Sequence, residues 1–392
     1  MSPVNLQLTL PGYRFIQWES NSLMRISLEE LDTPRSCPYC AGSSLRSKGR
    51  YQRRARHLEC LGHKSEVIIR CRRFYCLPCQ RTFVERLPGL LPGRHSTEPL
   101  RQALYERHHH GIPASTLARA EEVGQATVSR IYTQFTERKA KERLSLDCPP
   151  VLGIDEHTLH KGMRFATTFC DLKQHRIFDI SPGRSEAELA SYLQTLRGRD
   201  KVKVICIDLS NTYRAMIRRW FPNAAIVADR FHAVRLAGMH LMRVARQLCP
   251  ELGWNRSWLG ILRMRSDRLD PQQRERLHKL FERHPPLKAV HEMKERICAL
   301  LCLKHLSKQA CRQRIPHLLH AIQTLQHSGL EAALTLAKSL SEWIHEIVRM
   351  WRFTRNNGIT EGFHRKMKLI QRRAYGFRSF NNYRLRVIAQ CG

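Results

Sequence analysis

Val151 to His232 reads VLGIDEHTLHKGMRFATTFCDLKQHRIFDISPGRSEAELASYLQTLRGRDKVKVICIDLSNTYRAMIRRWFPNAAIVADRFH, and the order of its apolar runs decides the fold. VLGIDEHTL, MRFATTFCDL and RIFDISPG are closely spaced β-type runs that fit an antiparallel meander. A helix is predicted around Ser185–Leu196, then the strand VKVICIDL, a helix from about Asn211 to Trp220, and the strand AAIVADRFH. Asp155 and Asp208 each follow a short β-branched run of the kind that makes a buried strand.

This β-β-β-α-β-α-β order is that of the ribonuclease H-like fold. In that fold the centre of the first strand lies beside the end of the fourth, so Asp155 and Asp208 are expected to meet. Two carboxylates that close repel unless cations sit between them. A third acid comes from the string TRNNGITEGFHRKMKLIQRRAYGFR, where Glu361 is the one acidic residue in 351–386, a stretch with ten Lys and Arg. Three such carboxylates suit a pair of Mg²⁺ (or Mn²⁺) ions acting on phosphates. Between Asp229 and Glu361 the chain is largely helix-forming, with breaks near Pro250, His284-Pro285-Pro286 and Ser328-Gly329, so an all-helical insertion over about 235–345 is expected. Glu361, Arg365 and Lys368 share a helix face by their spacing. With Lys366, Arg372 and Arg373 the basic side chains of this helix are candidate phosphate contacts.

Other residues near the expected site carry two readings. Glu156 follows Asp155 directly and should point to the opposite face of the strand. Asp229 either caps the helix that begins near Phe231 or borders the metal site, and His232 is either a phosphate or water contact or a core histidine. Asp171 and Asp179 are expected to be solvated hairpin residues. Trp254, Trp258, Trp343 and Trp351 are expected to pack the helical region.

With 67 Lys and Arg against 34 Asp and Glu the chain is formally +33, a self-repelling charge that a polyanion would neutralise. The excess is spread, +10 in residues 1–150 and +23 beyond them, so a basic tail does not explain it. At 392 residues and 42% hydrophobic content a purely unfolded nucleic-acid binder is excluded, and two or three domains are expected. No run of 18 apolar residues occurs and the N-terminus lacks the apolar core of a signal peptide, so a cytoplasmic, nucleoid-associated protein without membrane contact is expected. Fourteen cysteines there argue for metal binding or packing rather than disulfides.

Cys37-Pro-Tyr-Cys40 and Cys76-Leu-Pro-Cys79 form two C-x2-C pairs, the spacing of one structural Zn²⁺ held by four thiolates. HLECL, SEVIIR and RRFYC read as strands, so a zinc ribbon over 31–88 is expected after an N-terminal segment, 1–30, and the alternative is fortuitous core cysteines. Ser43 to Leu58 reads as an acid-free basic loop whose Arg50, Arg53, Arg54 and Arg56 would contact phosphates. Residues 89–147 read as three helices, with Ser115 as an N-cap and a break at Val123-Gly124. A helix-turn-helix is expected, with Gln125, Thr127 and Arg130 facing a major groove and Val128 and Ile131 packed inward. A plain helical bundle is the alternative.

FYCLPC, GIDEH, ICIDLSNTY, VADRFHAV and NNGITEGFHRKMKLIQRRAYGFR together closely resemble the ISL-three family of bacterial insertion-sequence transposases, members of the DDE superfamily, over roughly residues 31–390. The resemblance implies catalytic carboxylates at Asp155, Asp208 and Glu361 in a catalytic domain over 148–392. It implies double-stranded DNA as partner, both the terminal inverted repeats of an element and target DNA, and a homodimer or higher oligomer when two ends are held together. His364 departs from the Asn that relatives commonly carry there. A DNA-binding regulator with an inert domain and a structure-selective nuclease of the same fold remain the competing readings.

Overall fold

The computed structural model describes residues 10–392 apart from 21–22, 33, 145, 161–163, 253–254, 354–356 and 375; Trp254 lies outside the described residues. The chain forms two compact units that divide after Arg138. Among the described residues no helix is long and apolar enough to cross a membrane.

The first unit opens with β1 (Tyr13–Ser20), β2 (Met24–Glu30), β3 (Leu45–Cys60), β4 (His63–Cys76) and β5 (Thr82–Val84). They form one sheet in the order β1-β2-β4-β3, with β5 also on β4. Two expectations are corrected here. Residues 13–30 are not a separate N-terminal segment, because β2 pairs in parallel with β4 and places Ile26 and Leu28 with Val67 and Ile69 in a common core. The arginines from Arg50 to Arg56 are not in a loop either. They lie on β3, whose alternation buries Ala55 and His57 and whose register matches Arg50 with Arg72 and Arg56 with Glu66. A basic run reads as a loop because its side chains are solvated on one face only, while the partner strand supplies the apolar face. Then follow α1 (Glu98–His109), α2 (Ala114–Ala120) and α3 (Gln125–Leu144). Ser115 falls inside α2, whose N-cap is Pro113. Val128 and Ile131 pack with Leu104, Tyr105 and Leu117.

The second unit holds β6 (Val151–His160), β7 (Arg164–Asp171), β8 (Arg176–Pro182), α4 (Glu186–Thr195), β9 (Val204–Ile207), α5 (Asn211–Trp220) and β10 (Ala225–Ala228). The sheet order is β10-β9-β6-β7-β8. β6, β7 and β8 run antiparallel to their neighbours in a meander, and β9 and β10 continue the sheet in parallel from β6. VICI of β9 is wholly buried, as a strand covered on both faces must be. Helix starts follow local chemistry: Ser185 and Glu188 form a capping box at α4, and Ser210 caps α5 through the Tyr213 N–H.

Next come α6 (Arg230–Leu248), α7 (Arg256–Arg263), α8 (Pro271–Arg283), α9 (Pro285–Leu301), α10 (Lys308–Gln326), α11 (Glu331–Glu342) and α12 (Ile344–Arg352). Three of their breaks fall at Cys249-Pro250, His284 and 327–330, where Pro and Gly interrupt the pattern. Trp343 and Trp351 are buried in the core that these helices share with one face of the sheet. α13 (Gly358–Arg373) and α14 (Phe380–Cys391) cover the other face, with Met367, Ile370, Tyr383 and Val387 against Cys170, Ile180 and Cys206.

Asp171 and Asp179 are buried, contrary to the solvated role expected of them. Asp179 meets both arms of Arg384 on α14 at 2.6 and 2.5 Å and also accepts the Tyr192 hydroxyl. Asp171 takes the N–H groups of Lys173 and Gln174 and faces Arg176 at 3.6 Å. Asp179 is buried because a distant helix brings it a bidentate cation, whereas Asp171 is satisfied within its own hairpin.

Candidate active site

Strand register sets the site. Ile154 lies beside Ile207, and Ile207 beside Ala228. Asp155, in the middle of β6, and Asp208 and Asp229, just past the ends of β9 and β10, each come one residue later and form a row across three adjacent parallel strands. Side chains alternate along β6, so Asp155 shares the Gly153 face, which α13 covers, and Glu156 turns to the other face and is exposed.

The row is deeply set. Side-chain exposure is 12% for Asp155, 26% for Asp208 and 2% for Asp229. Asp155 Oδ1 accepts the Glu156 N–H at 2.8 Å, and its Oδ2 stands 3.8 Å from His364 Nδ1. Asp208 Oδ2 meets His232 Nδ1 at 3.1 Å, while its Oδ1 is buried with no hydrogen-bond partner. Asp229 holds the N-cap position of α6, yet its side chain does not cap that helix. Instead its Oδ1 accepts the Asn357 N–H at 3.2 Å, and its Oδ2 lies 3.8 Å from His232 Nε2. One donor atom from each of Asp208, Asp229 and His232 falls within 4.8 Å of the others.

Burial pushes Asp155 up to about 7, opposed by the Glu156 N–H and reinforced by the charges of Asp229, Glu156 and Glu361. Burial likewise pushes Asp208 up to about 8, with Asp155 and Asp229 adding to it. Desolvation lowers His232 and takes His364 down to about 4. Mutually repelling carboxylates, an orphaned buried oxygen and neutral imidazoles make a donor set that fits a hard divalent cation.

α13 delivers Glu361 to this corner. Its N-cap, Asn357, is buried against the strand ends: Nδ2 donates to the carbonyls of Ile154 at 3.1 Å and Cys206 at 3.4 Å. Gly153 makes the room, since a Cβ there would collide with Asn357 Oδ1 and lie 2.8 Å from Leu172 Cδ2. Gly153→Ala is therefore expected to cost about 1–3 kcal/mol of stability by overpacking and by moving the start of α13. A thermal midpoint equal to the parent would remove Asn357 from this role.

Glu361 sits in the first turn of α13 with 51% of its side chain exposed and pairs with Arg365 at 3.1 Å. Arg365, Lys368, Arg372 and Arg373 are exposed, whereas Lys366 donates to the Gln390 carbonyl on α14. Behind Asp155 runs a buried polar chain: Tyr383 OH to His157 Nε2 at 3.1 Å, His157 Nδ1 to Thr168 Oγ1 at 3.0 Å, and Thr168 Oγ1 to His364 Nε2 at 3.1 Å. Asn357, His157, Thr168 and Tyr383 were not foreseen as site residues. The NNG and GIDEH strings contained two of them, but their partners lie far along the chain.

In the first unit, donor sulfurs of Cys37, Cys40, Cys76 and Cys79 all lie within 4.8 Å of one another. Cys37 Sγ is 3.7 Å from Cys79 Sγ and Cys40 Sγ is 3.5 Å from Cys76 Sγ. A tetrahedral zinc with sulfurs at about 2.3 Å spaces them about 3.8 Å apart, so the donor set fits that ion. On α3, Gln125 and Arg130 are exposed and Thr127 is half-buried. Arg53 donates to the Arg94 carbonyl at 2.8 Å and Arg56 to the Glu121 carbonyl at 2.7 Å, so both are partly occupied in holding the unit together. Arg50 and Arg54 are exposed on β3.

Residues 152–387 match the profile of the ISL-three family, described as transposase. The chain is also 28% identical to the transposase for insertion sequence element IS1001 of Bordetella parapertussis, over 96% of this chain and 94% of that protein.

Proposed function

This chain belongs to the ISL-three family of transposases and is a DNA transposase, and we propose that it cuts and joins the ends of an insertion sequence at a ribonuclease H-like centre made of Asp155, Asp208 and Glu361. The observation that carries the reading is the row of aspartates across three adjacent parallel strands, with Asp208 Oδ1 buried and unpartnered. In this reading the catalytic domain spans 148–392.

Asp155, Asp208 and Glu361 would hold two Mg²⁺ (or Mn²⁺) ions, with Asp229 and His232 beside them. When bound, such ions supply Lewis-acid stabilisation of the attacking and leaving oxygens of an in-line phosphoryl displacement. The residues of the chain do the rest. Asn357 ties the start of α13 to the strands that carry Asp155 and Asp208, and so fixes Glu361 relative to them. Arg365 and Lys368, one and two turns on from Glu361, clamp phosphates on the same face. His364, held by Thr168 through Nε2, turns Nδ1 towards Asp155 and so helps to position that carboxylate. The direct test is cleavage and joining of end-containing DNA by the purified chain with Mg²⁺. A failure of the Asp208→Asn variant to lose either activity sinks the assignment.

The DNA address lies in the first unit in this reading: a zinc-bearing sheet that includes β1 and β2 as well as β3 to β5, and a helix-turn-helix formed by α2 and the start of α3, working as a homodimer or higher oligomer that brings two ends together. Gln125, Thr127 and Arg130 read base edges, whereas Arg50 and Arg54 contact phosphates without regard to sequence. Arg130→Ala is expected to cost about 1–3 kcal/mol on the terminal repeat and little on scrambled duplex. Arg50→Ala with Arg54→Ala should weaken both duplexes alike and flatten the salt dependence. Binding isotherms on the two duplexes at several salt concentrations separate these outcomes. Equal losses on both duplexes for Arg130→Ala would mean that α3 does not read bases.

A further inference from the structure

We propose that the helical insertion carries a phosphate-binding pocket for the backbone of DNA leading away from the catalytic corner. A cavity of about 320 Å³ opens between α6 and α11, lined by His240, Arg243, Arg246, Gln247 and Thr335, with Glu331 also on its lining. His240 is only 5% exposed; its ring meets the Ala332 backbone, and its Nδ1 has no hydrogen-bond partner. Arg246 Nε is buried and equally unpartnered. Among the described residues neither Arg243 nor Arg246 forms an ion pair, and Glu331, although close by, pairs with neither.

The start of α11 adds a further donor set. Its N-cap is Leu330, which has no side chain to cap the first turn, and Ala332 of that turn lines the cavity. Free N–H groups and the positive end of a helix there favour an anion. Two unpaired guanidinium groups, a buried imidazole nitrogen without a partner and an uncapped helix start therefore converge on one space. A phosphate oxygen would satisfy them together, with the His240 ring carrying a proton on Nδ1.

The occupant is identified by what leads to the pocket. His232, Arg235, Met239, Arg243 and Arg246 follow one another on α6 at spacings of three or four, so they share one face of the helix. His232 touches Asp208, and the positive charge of Arg235 is felt at Asp208. The stripe thus starts at the aspartate row and ends at the pocket. Fourteen residues of helix span about 21 Å, which is about six base pairs at about 3.4 Å each. In a DNA transposase, a basic stripe of this length suits a phosphodiester backbone about half a turn of duplex from the cut. The proposal rests on the placement of catalysis at the Asp155 and Asp208 corner.

The test uses the full-length chain without divalent cation and terminal-repeat duplexes that extend about two or about twelve base pairs past the cleavage position on either side. Arg243→Gln with Arg246→Gln is expected to weaken binding of the longer duplex about ten-fold and to reduce its salt slope by about two. The short duplex should bind as tightly as to the parent. Glu331→Gln, which removes the competing acid, should tighten the longer duplex, and this arm stands even if the double variant folds poorly. Equal losses on both duplexes, no loss on the longer one, or no gain from Glu331→Gln would overturn the proposal. So would stabilisation of the parent by inorganic phosphate that neither duplex displaces, the mark of a small-anion site. Asp155→Ala separates the two assignments: it should keep the length dependence and lose cleavage. If it cleaves normally, the catalytic reading fails while the pocket result stands.

Discussion

Asp208→Asn is expected to abolish cleavage and joining, by about a thousand-fold or more, and at the same time to stabilise the metal-free protein. Both effects have one cause. Asp208 is buried beside Asp155 and Asp229, and its proton affinity is raised to about 8, that of Asp155 to about 7. In the unfolded chain both carboxyl groups titrate near 4. The folded state therefore binds more protons than the unfolded one between about pH 4 and about pH 8, and stability falls as pH rises through that window. The neutral amide of Asn removes this penalty, which at about 1.4 kcal/mol per pH unit from about pH 4 to pH 7.5 is on the order of 5 kcal/mol. Divalent cation should remove it too, by favouring the ionised carboxylates. Thermal unfolding of parent and variant at pH 5 and pH 8, with and without Mg²⁺, reads out all of this. A parent whose metal-free stability rises from pH 5 to pH 8 would contradict the repulsive corner. Asp155→Asn should behave alike, and Glu361→Gln should lose activity without the stability gain, because Glu361 is half exposed and already paired with Arg365.

Loss of the zinc that we propose for Cys37, Cys40, Cys76 and Cys79 is expected to have the second large effect, and a local one. The knuckle end of the first unit has a very small core of its own: Phe74 and Phe83 stacked at 5.8 Å, with Cys37 and Cys76. Metal binding to four thiolates supplies about 10–16 kcal/mol in small zinc domains, far more than two rings can. The larger core of Met24, Ile26, Leu28, Val67 and Ile69 lies elsewhere in the sheet and does not depend on the metal. Cys76→Ser with Cys79→Ser in the full-length chain should thus release one zinc, expose the amides of β5 and the adjoining end of β4 to hydrogen exchange, and leave those of β2 protected. Zinc retained by the double variant would show that these cysteines are not its ligands. Uniform loss of protection across the sheet would show that the sheet and the knuckle fold as one.

The elements legible in the sequence are those whose signal is local. VICI and AIVA read as buried strands because every residue in them is apolar, and Ser185 with Glu188 marks the start of α4 because a capping box closes within four residues. The two C-x2-C pairs converge in the structure because each knuckle is itself a local turn, and a two-stranded ribbon brings the ends of β3 and β4 together. The row of Asp155 and Asp208 was equally accessible, since strand register follows once the order of strands is known.

Where the sequence misled, the missing partner lay far away along the chain. Asp179 reads as a surface hairpin residue until Arg384, 205 positions later, closes on it. Asn357 carries no local signal, yet its amide binds a carbonyl 203 positions earlier, and His157 finds Tyr383 across 226. The basic run on β3 lacked the apolar alternation of a strand because β4 and the β1–β2 hairpin supply the buried face. Local propensity and spacing determined the elements, their order and the residue types that carry the chemistry. Tertiary packing alone decided which polar groups are buried, because that depends on whether a distant element brings a matching donor or charge to offset the cost of desolvation.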